Sequence, residues 1–211
     1  MKLIPRLVVV AARAMIRPNL SALESSHCNF RVLPTDLDIN LHMNNGRFLQ
    51  IMDLARIDWL LRTGILQNAL CQHRRLVLGG VIVRYVRELR VLQRYTVATR
   101  LIGWDRRFFY IEHKFESPDG RVVAVGVVRA AQCTPDGVVP AADIAADHGQ
   151  GSSPALPAYI QSWNDADMDL RKQWQTAAGP GDVAQAASEE QDPAPSIEAG
   201  QVSLAGSRSP Y

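Results

Sequence analysis

The 211-residue sequence predicts an α+β fold in which an antiparallel sheet wraps around one long central helix. Three observations lead to this prediction. One strand-like segment precedes a long apolar helix, four strand-like segments follow it, and only short turns separate those four. Closely linked strands favour antiparallel pairing, and an antiparallel sheet must bury one face. Wrapping the sheet around the helix buries that face and accounts for the order of the elements.

The N-terminal segment, residues 1–23, has the pattern of an amphipathic helix. Its apolar run Leu7–Ala12 lies between Arg6 and Arg13, and Arg17 follows. The segment is too short and too charged for a transmembrane span or a secretory signal. Two interpretations stay open: the helix packs against the following domain, or it lies on an anionic membrane surface.

The main domain is expected over residues 24–175, with a first strand at His27–Leu33 and an irregular loop after it. Gly46–Thr63 then predicts the central helix, because apolar residues from Phe48 to Trp59 recur at helical spacing. Asn44 or Asn45 suits the N-cap of this helix, and Gly64 suits its C-terminal stop.

The four later segments are rich in Val, Ile, Phe and Tyr and predict an antiparallel meander. They run over Val81–Arg90, Tyr95–Ile102, Arg107–Phe115 and Arg121–Cys133. A further helix, packed outside the sheet, is expected within Ala155–Trp174. Residues 176–211 are rich in Gly, Ala, Ser, Pro and Gln, which predicts a flexible tail.

Composition narrows the class of protein. The formal net charge is +2, but five of the 21 acidic residues and one of the 23 basic residues lie beyond Thr176, so the remainder stands near +6. A mildly basic domain suits an anionic ligand that carries phosphate. No nucleic-acid-binding motif is present. Cys28, Cys71 and Cys133 form no CxxC pair, which favours reduced thiols in a cytoplasmic protein and argues against a zinc site.

The chemistry is expected in the loop before the central helix. Asp38, Asn40 and His42 alternate, so in an extended conformation their side chains point to one side. A carboxylate, an amide and an imidazole then converge at a helix N-terminus, where unpaired backbone N–H groups can stabilise an oxyanion. This arrangement suits attack on a thioester carbonyl, with the carboxylate activating water or attacking directly. The alternative is a polar loop that only caps the helix.

The segment Asp36–Asn45, D-L-D-I-N-L-H-M-N-N, resembles the corresponding segment of plant acyl-ACP thioesterases. More broadly it is similar to the hotdog enzymes related to hydroxybenzoyl-CoA thioesterase, and the resemblance covers Ser26 to about Cys133. The chain also resembles bacterial and animal thioesterase-like proteins that have a hydrophobic segment before the domain. The hotdog fold is an antiparallel sheet wrapped around a central helix, as the element order predicts.

The resemblance implies catalytic roles. Asp38 matches the aspartate that acts as base or nucleophile, and Asn40 and His42 match residues with catalytic roles in the plant enzymes. The backbone N–H near Asn45 or Gly46 is expected to polarise the thioester carbonyl.

Two further residues match the family pattern. Asp36 matches an aspartate that we expect to shape the loop. Glu88 matches the glutamate of a Glu-Cys pair in the plant enzymes, but Leu89 stands where the cysteine would be. Only the glutamate of this pair could therefore contribute.

Four arginines are candidates for binding the phosphates of CoA: Arg84, Arg87, Arg106 and Arg107. The alternative is that they are solvated side chains at strand edges and turns.

The sequence therefore predicts a thioester hydrolase that acts on acyl-CoA or acyl-ACP. The resemblance implies at least a homodimer, or a homotetramer, with the site at a dimer interface and no metal or redox cofactor. A cytoplasmic location is expected, with contact at the inner membrane face through the N-terminal helix as one possibility. Two alternatives stay open. One is a hotdog enoyl-CoA hydratase, whose D-x-N-P-x-H segment has a proline and one more residue; the other is a non-catalytic acyl-CoA-binding or membrane-associated scaffold.

Overall fold

A computed structural model describes residues 3–177, so the predicted flexible tail lies almost entirely outside the described residues. The helices are α1 (Leu3–Ile16), α2 (Asn45–Arg62), α3 (Ile65–Cys71), α4 (Ala141–Asp147) and α5 (Ala158–Ala177). The strands are β1 (Ser26–Arg31), β2 (Arg75–Tyr85), β3 (Arg94–Trp104), β4 (Phe109–Glu116), β5 (Val122–Thr134) and β6 (Gly137–Val138). The chain divides into a compact unit that ends at Ala166 and a second unit that begins at Asp167, whose described part is the end of α5.

The sheet is antiparallel, with strand order β1-β3-β4-β5-β2 and β6 paired to β5. The predicted meander of four consecutive strands is therefore wrong in one respect. β3, β4 and β5 do form a meander, but β2 pairs with β5 at the far edge. The chain must cross the end of the sheet to pass from β2 to β3, and residues 86–93 make this crossover.

The predicted position of β2 is also wrong. Val81–Arg90 was expected to be a strand, but β2 begins at Arg75 and ends at Tyr85. Because of the Gly79-Gly80 pair, the first part of this strand does not have a strand-like sequence. The structure accommodates the two glycines as an irregularity in the pairing of β2 with β5. Gly79 is needed here, because a Cβ at this position would lie 2.6 Å from the ring of Phe108.

Helix α2 is the core of the domain, as predicted. Its buried residues pack against the concave face of the sheet, where Phe48 contacts Phe115 with ring centroids 5.1 Å apart. Gly126 of β5 lets α2 approach closely, since a Cβ there would lie 2.6 Å from the terminal methyl of Met52. The sequence therefore predicted both the helix and its burial.

The ends of α2 also follow the sequence. Asn44 is the N-cap, and its side-chain Oδ1 accepts a hydrogen bond from the Gly46 N–H at 2.8 Å. After the last helical residue, Gly64 adopts a φ of 76°, which a glycine adopts without the steric penalty of a side chain.

Two further helices pack on the first compact unit. α1 lies against α2 and buries Val10 and Ala14, whereas its other face is exposed. The first part of α5 covers the convex face of the sheet, where Ile160 packs with Tyr110 and Val127. In residues 3–177, no helix combines the length and the apolar character needed to cross a bilayer.

Candidate active site

A buried carboxylate anchors the loop between β1 and α2. Asp36 is 2% exposed and accepts hydrogen bonds from Arg6 Nη2 at 2.6 Å and from the Leu33 N–H at 2.8 Å. Arg47 Nε, in the first turn of α2, lies 3.6 Å from its other oxygen. Asp36 thus ties α1, the loop and the start of α2 together, as expected for a residue that shapes the loop.

The next residues form a tight turn. The Leu41 N–H donates to the Asp38 carbonyl at 3.1 Å, and the Asp38 N–H donates to the His42 carbonyl at 2.9 Å. Leu41 has a φ of 59°, an uncommon conformation for a residue with a side chain. The expectation that Asp38, Asn40 and His42 alternate along an extended segment is therefore wrong. Local hydrogen bonding by Asp and Asn favours turns over extended backbone, and here it prevails.

The turn gives its side chains different environments. The Asp38 carboxylate is half-buried, and its Oδ1 accepts the Asn40 N–H at 2.8 Å. The Asn40 side chain is exposed, and the neighbouring Ile39 and Leu41 are 97% and 72% exposed. Only one oxygen of the Asp38 carboxylate therefore takes part in the hydrogen bond within the turn. The tip of the loop exposes the apolar side chains of Ile39 and Leu41.

The crossover between β2 and β3 brings Glu88 to His42. The His42 Nε2 atom lies 3.0 Å from Glu88 Oε2, and the Met43 N–H donates to the Leu89 carbonyl at 2.8 Å. Glu88 Oε1 accepts hydrogen bonds from Arg90 at 3.0 Å and 2.8 Å. These bonds from Arg90, with a smaller contribution from His42, lower the pKa of Glu88. An ionised carboxylate is thus held against the imidazole.

The N-terminus of α2 completes this region. The Gly46 N–H is engaged by the Asn44 side chain, and the Asn45 carbonyl accepts a hydrogen bond from the Tyr85 hydroxyl at 3.1 Å. Within the described residues, no acceptor is found for the Asn45 N–H. Of the two backbone donors that the sequence predicted, the Asn45 N–H is therefore the one available to a ligand.

The four candidate arginines do not form one group within a single chain. Arg84 lies on β2 and Arg87 just after it, near the crossover. Arg106 and Arg107 lie in the turn between β3 and β4, at the opposite end of the sheet. The eight residues of β4 span about 26 Å, which separates the two pairs. The two pairs are separate because they lie at opposite ends of the antiparallel sheet. The positions of the arginines in the sequence do not show this separation.

A cleft beside Glu88 contains an arginine that the sequence did not single out. Its volume is about 350 Å³, and its lining includes Arg87, Glu88 and Arg121. Arg121 comes from the turn before β5 and has no motif that marks it, so only the folded chain shows its place beside Arg87.

A larger cavity, of about 750 Å³, lies between the C-terminal half of α2 and the concave face of the sheet. Most of its lining is apolar and includes Ile57, Leu60, Leu101, Phe109, Ile111 and Ile144. Such a volume falls within the range of about 300–1,000 Å³ that is usual for small-molecule sites. The sequence predicted a buried helix here but gave no sign of the cavity.

Comparisons with known proteins agree with this fold. Residues 32–136 match the family model of the thioesterase-like superfamily. The match begins just after β1 and includes the loop that holds Asp38 and His42, α2 and strands β2 to β5. The domain belongs to the thioesterase-like superfamily, and its fold is the hotdog fold.

Two relatives illustrate the similarity. Protein THEM6 of Xenopus laevis is 37% identical over 108 residues, which cover 51% of this chain and 52% of that protein. Thioesterase lcsJ of Purpureocillium lilacinum is 32% identical and covers 46% of this chain and 36% of that protein. The chain spans about half the length of the THEM6 relatives that it matches.

Solved structures share the fold at low sequence identity. A putative oleoyl thioesterase from Lactobacillus plantarum superimposes with a TM-score of 0.57 at 16% identity, covering 64% of this chain and 54% of that one. The YbaW probable thioesterase of Escherichia coli gives a TM-score of 0.52 at 20% identity, covering 54% of this chain and 88% of that one.

Proposed function

We propose that this protein hydrolyses acyl-CoA thioesters at the loop that joins Asp38, His42 and the N-terminus of α2. The observation that supports the proposal most directly is the contact between His42 and the ionised Glu88. The same loop leads into α2, whose Asn45 N–H has no acceptor among the described residues. Membership of the thioesterase-like superfamily supports the reaction class. The mildly basic domain suits the phosphates of CoA, and acyl-ACP is the second carrier to test.

The proposed reaction uses Asp38 first. Its carboxylate takes a proton from water, and the water oxygen attacks the thioester carbonyl carbon. The carbonyl oxygen gains the negative charge and accepts a hydrogen bond from the Asn45 N–H, at the positive end of the α2 dipole. The carbon–sulfur bond then breaks, and His42 supplies a proton to the departing thiolate. Direct attack by Asp38, followed by hydrolysis of the resulting anhydride, uses the same groups.

Glu88 and Asn40 have supporting roles in this proposal. Glu88 orients the His42 ring through the 3.0 Å contact between Glu88 Oε2 and His42 Nε2. The Asn40 N–H holds one oxygen of Asp38, which leaves the other oxygen for water. The exposed Asn40 side chain can reach a ligand from the same turn.

The phosphates of CoA are proposed to bind at the cleft that contains Arg87 and Arg121. Glu88, which contacts His42, lines the same cleft. Asp119 also lines this cleft, and Asp119 Oδ2 lies 2.8 Å from Arg121 Nε, so Arg87 and the exposed Arg84 on β2 are the cations proposed to meet the phosphates. Arg106 and Arg107 could join this site only from a second copy of the chain.

We further propose a homodimer formed through the free edge of β2. This strand is 11 residues long and mostly exposed, with Val77, Leu78 and Val81 each more than 40% exposed. A long apolar edge of this kind is suited to pairing with another strand. Two copies related by a two-fold axis pair their β2 strands antiparallel, so the Tyr85 end of one strand approaches the Arg75 end of the other.

This dimer would complete the site. The loop that holds Asp38 and His42 lies at the Tyr85 end of β2, whereas Leu76–Leu78, which line the large cavity, lie at the other end. Antiparallel pairing brings the loop of one protomer towards the cavity of its partner. The acyl chain would enter that cavity while the thioester lies at the loop.

A peripheral membrane contact is proposed for α1. On the face turned away from α2, Ile4, Val8, Met15 and Ile16 are between 60% and 84% exposed. The helix contains no acidic residue, and Arg13 is exposed beside these side chains. Apolar side chains with basic neighbours are typical of helices that lie on anionic bilayers.

The test of the catalytic proposal is thiol release from acyl-CoA and acyl-ACP thioesters of short to long chain length. We expect Asp38→Asn to lower kcat by at least about 100-fold, because it removes the base or nucleophile while keeping the shape of the side chain. Asp143→Asn, an exposed carboxylate on α4, is the matched control and should keep full activity.

The outcomes separate the alternatives. A folded dimeric protein that binds acyl-CoA equally well with and without the Asp38 carboxylate, and releases no thiol, would be a binding scaffold. Hydration of enoyl-CoA without thiol release would indicate the hydratase.

A further inference from the structure

The crossover between β2 and β3 ends in a tight turn, residues 90–93, beside the candidate site. The Gln93 N–H donates to the Arg90 carbonyl at 3.1 Å, and Leu92 has a φ of 60°. Glycine or asparagine usually occupies this left-handed conformation, because other side chains are strained in it. Yet Leu92 is 56% exposed, and the preceding Val91 is 44% exposed. The turn therefore holds a leucine in a strained conformation while leaving most of its side chain in water, which points to a function outside the packed core.

This turn lies on the side of the sheet opposite the proposed dimer contact. The Leu92 N–H donates to the Val32 carbonyl at 2.9 Å, and the Val32 N–H donates to the Gln93 carbonyl at 3.0 Å. The turn is thus fixed between the end of β1 and the start of β3, whereas β2 forms the other edge of the sheet. Leu41 has a similar φ of 59°, but the proposed dimer brings its loop towards the partner. The turn at residues 90–93 lies away from that contact.

Two arginines face each other beside the turn. Arg31 ends β1, Arg94 begins β3, and the two residues are cross-strand partners. Both are exposed, and both line a cleft of about 460 Å³. Among residues 3–177, no carboxylate forms an ion pair with either guanidinium. Like charges directly opposite each other on neighbouring strands repel, so an anionic group bound between them would be stabilising.

The surroundings of the turn are apolar as well as basic. Leu33, which follows β1, is 37% exposed, and Ile4 in the first turn of α1 is 66% exposed. Arg6 Nη2 donates to the Arg31 carbonyl at 3.2 Å, so the start of α1 adjoins the end of β1 and one bilayer can contact both. An anionic phospholipid bilayer offers an apolar interior for such side chains and phosphates for the arginines. The two central residues of a turn form a tip and not a groove, which favours a fluid bilayer over a folded protein partner.

We propose that the turn at residues 90–93 docks on an anionic phospholipid bilayer. Val91 and Leu92 enter the headgroup region, and Arg31 and Arg94 bind lipid phosphates. Because Arg90 pairs with His42, the candidate site then lies beside the bilayer, from which a long-chain acyl thioester can reach it. This last consequence rests on the proposed thioesterase function, whereas the docking itself does not.

Vesicle flotation tests the docking, with phosphatidylcholine vesicles that contain or lack phosphatidylserine. On anionic vesicles, we expect Leu92→Asn to lower the partition coefficient by at least about fivefold, because it removes an apolar side chain from the contact. Arg31→Gln should lower it by about fivefold as well, through the loss of one cation near the lipid phosphates. The matched controls are Leu70→Asn on α3 and Arg106→Gln at the opposite end of the sheet, which should bind as wild type does.

Urea denaturation shows whether Leu92 has a structural role instead. Asparagine accepts the left-handed conformation, so Leu92→Asn should unfold at the same urea concentration as wild type or at a higher one. A clearly lower midpoint would show that the leucine is kept for packing and would overturn the inference.

Two further outcomes would overturn the proposal. Flotation of Leu92→Asn at the wild-type level, with loss of flotation in Val8→Asp, would leave α1 as the membrane contact and exclude the turn. Sedimentation of Leu92→Asn as a monomer, beside a dimeric wild type, would assign the turn to contact between two copies of the chain.

Discussion

His42 and Glu88 come from distant parts of the sequence, yet His42 Nε2 lies 3.0 Å from Glu88 Oε2. The contact exists because the chain crosses the end of the sheet between β2 and β3 and pairs there with the loop before α2. Arg90, on the same crossover, donates two hydrogen bonds to the other oxygen of Glu88. The crossover thus supplies both the carboxylate and the group that keeps it ionised.

This relationship predicts a pH effect. The pKa of Glu88 is lowered chiefly by Arg90, so the ionised form persists at acidic pH and is lost only as the pH falls through this lowered value. Arg90→Met removes the hydrogen bonds and lets the pKa rise towards its ordinary value of 4.5. We therefore expect the acid-side fall of kcat/KM to begin at a higher pH in Arg90→Met than in wild type. Arg94→Met, an exposed neighbour on β3, should leave the profile unchanged.

The cap of α2 gives a prediction about stability. Asn44→Ala removes the side-chain acceptor of the Gly46 N–H, and we expect a loss of about 1 kcal/mol in the free energy of unfolding. Urea denaturation measures this difference. Asn44→Ser keeps a good capping oxygen and should retain most of the stability, so equal losses in the two variants would contradict the role of the cap.

Asp36 is expected to contribute more to the free energy of unfolding than the Asn44 cap does. Asp36→Ala leaves the Arg6 guanidinium and the Leu33 N–H without their buried partner, and we expect a loss of about 3–5 kcal/mol. Chemical denaturation of Asp36→Ala and of the exposed control Asp143→Ala makes the comparison. A small loss at Asp36 would show that the loop does not depend on this carboxylate.

The proposed dimer makes a prediction about Val81. Val81→Lys places a charge on the exposed edge strand, which disfavours strand pairing between two copies. We expect wild type to sediment as a dimer and Val81→Lys as a monomer at the same concentration. Leu70→Lys, on the exposed face of α3, is the control and should remain dimeric. A monomeric wild type would refute the dimer.

The proposed membrane contact is tested with Val8. Val8 is 60% exposed on the apolar face of α1, so Val8→Asp should not disturb the packing on α2 but should oppose contact with an anionic bilayer. We expect wild type to float with vesicles that contain phosphatidylserine and Val8→Asp to remain unbound. Val8→Ile should bind as wild type does. Equal flotation of all three proteins would exclude α1 as the contact.

The sequence alone determined the features that depend on local order. Helical spacing of apolar residues from Phe48 to Trp59 predicted α2 and its burial, and Asn44 and Gly64 marked its two ends. Alternating apolar strands with short turns predicted β3, β4 and β5. The motif from Asp36 to Asn45 indicated the reaction class, because its residue types and its position before a helix are visible in the sequence.

Only the tertiary structure decided which distant residues meet. The displacement of β2 to the far edge of the sheet depends on its pairing with β5, and this non-local pairing has no signature in the spacing of residues. That displacement creates the crossover and so the contact of Glu88 with His42, and it separates Arg87 from Arg106. Turn formation at Asp38 likewise depends on hydrogen bonds that compete with extended backbone. The large cavity arises from packing of α2, β5 and α4, which a linear pattern does not encode.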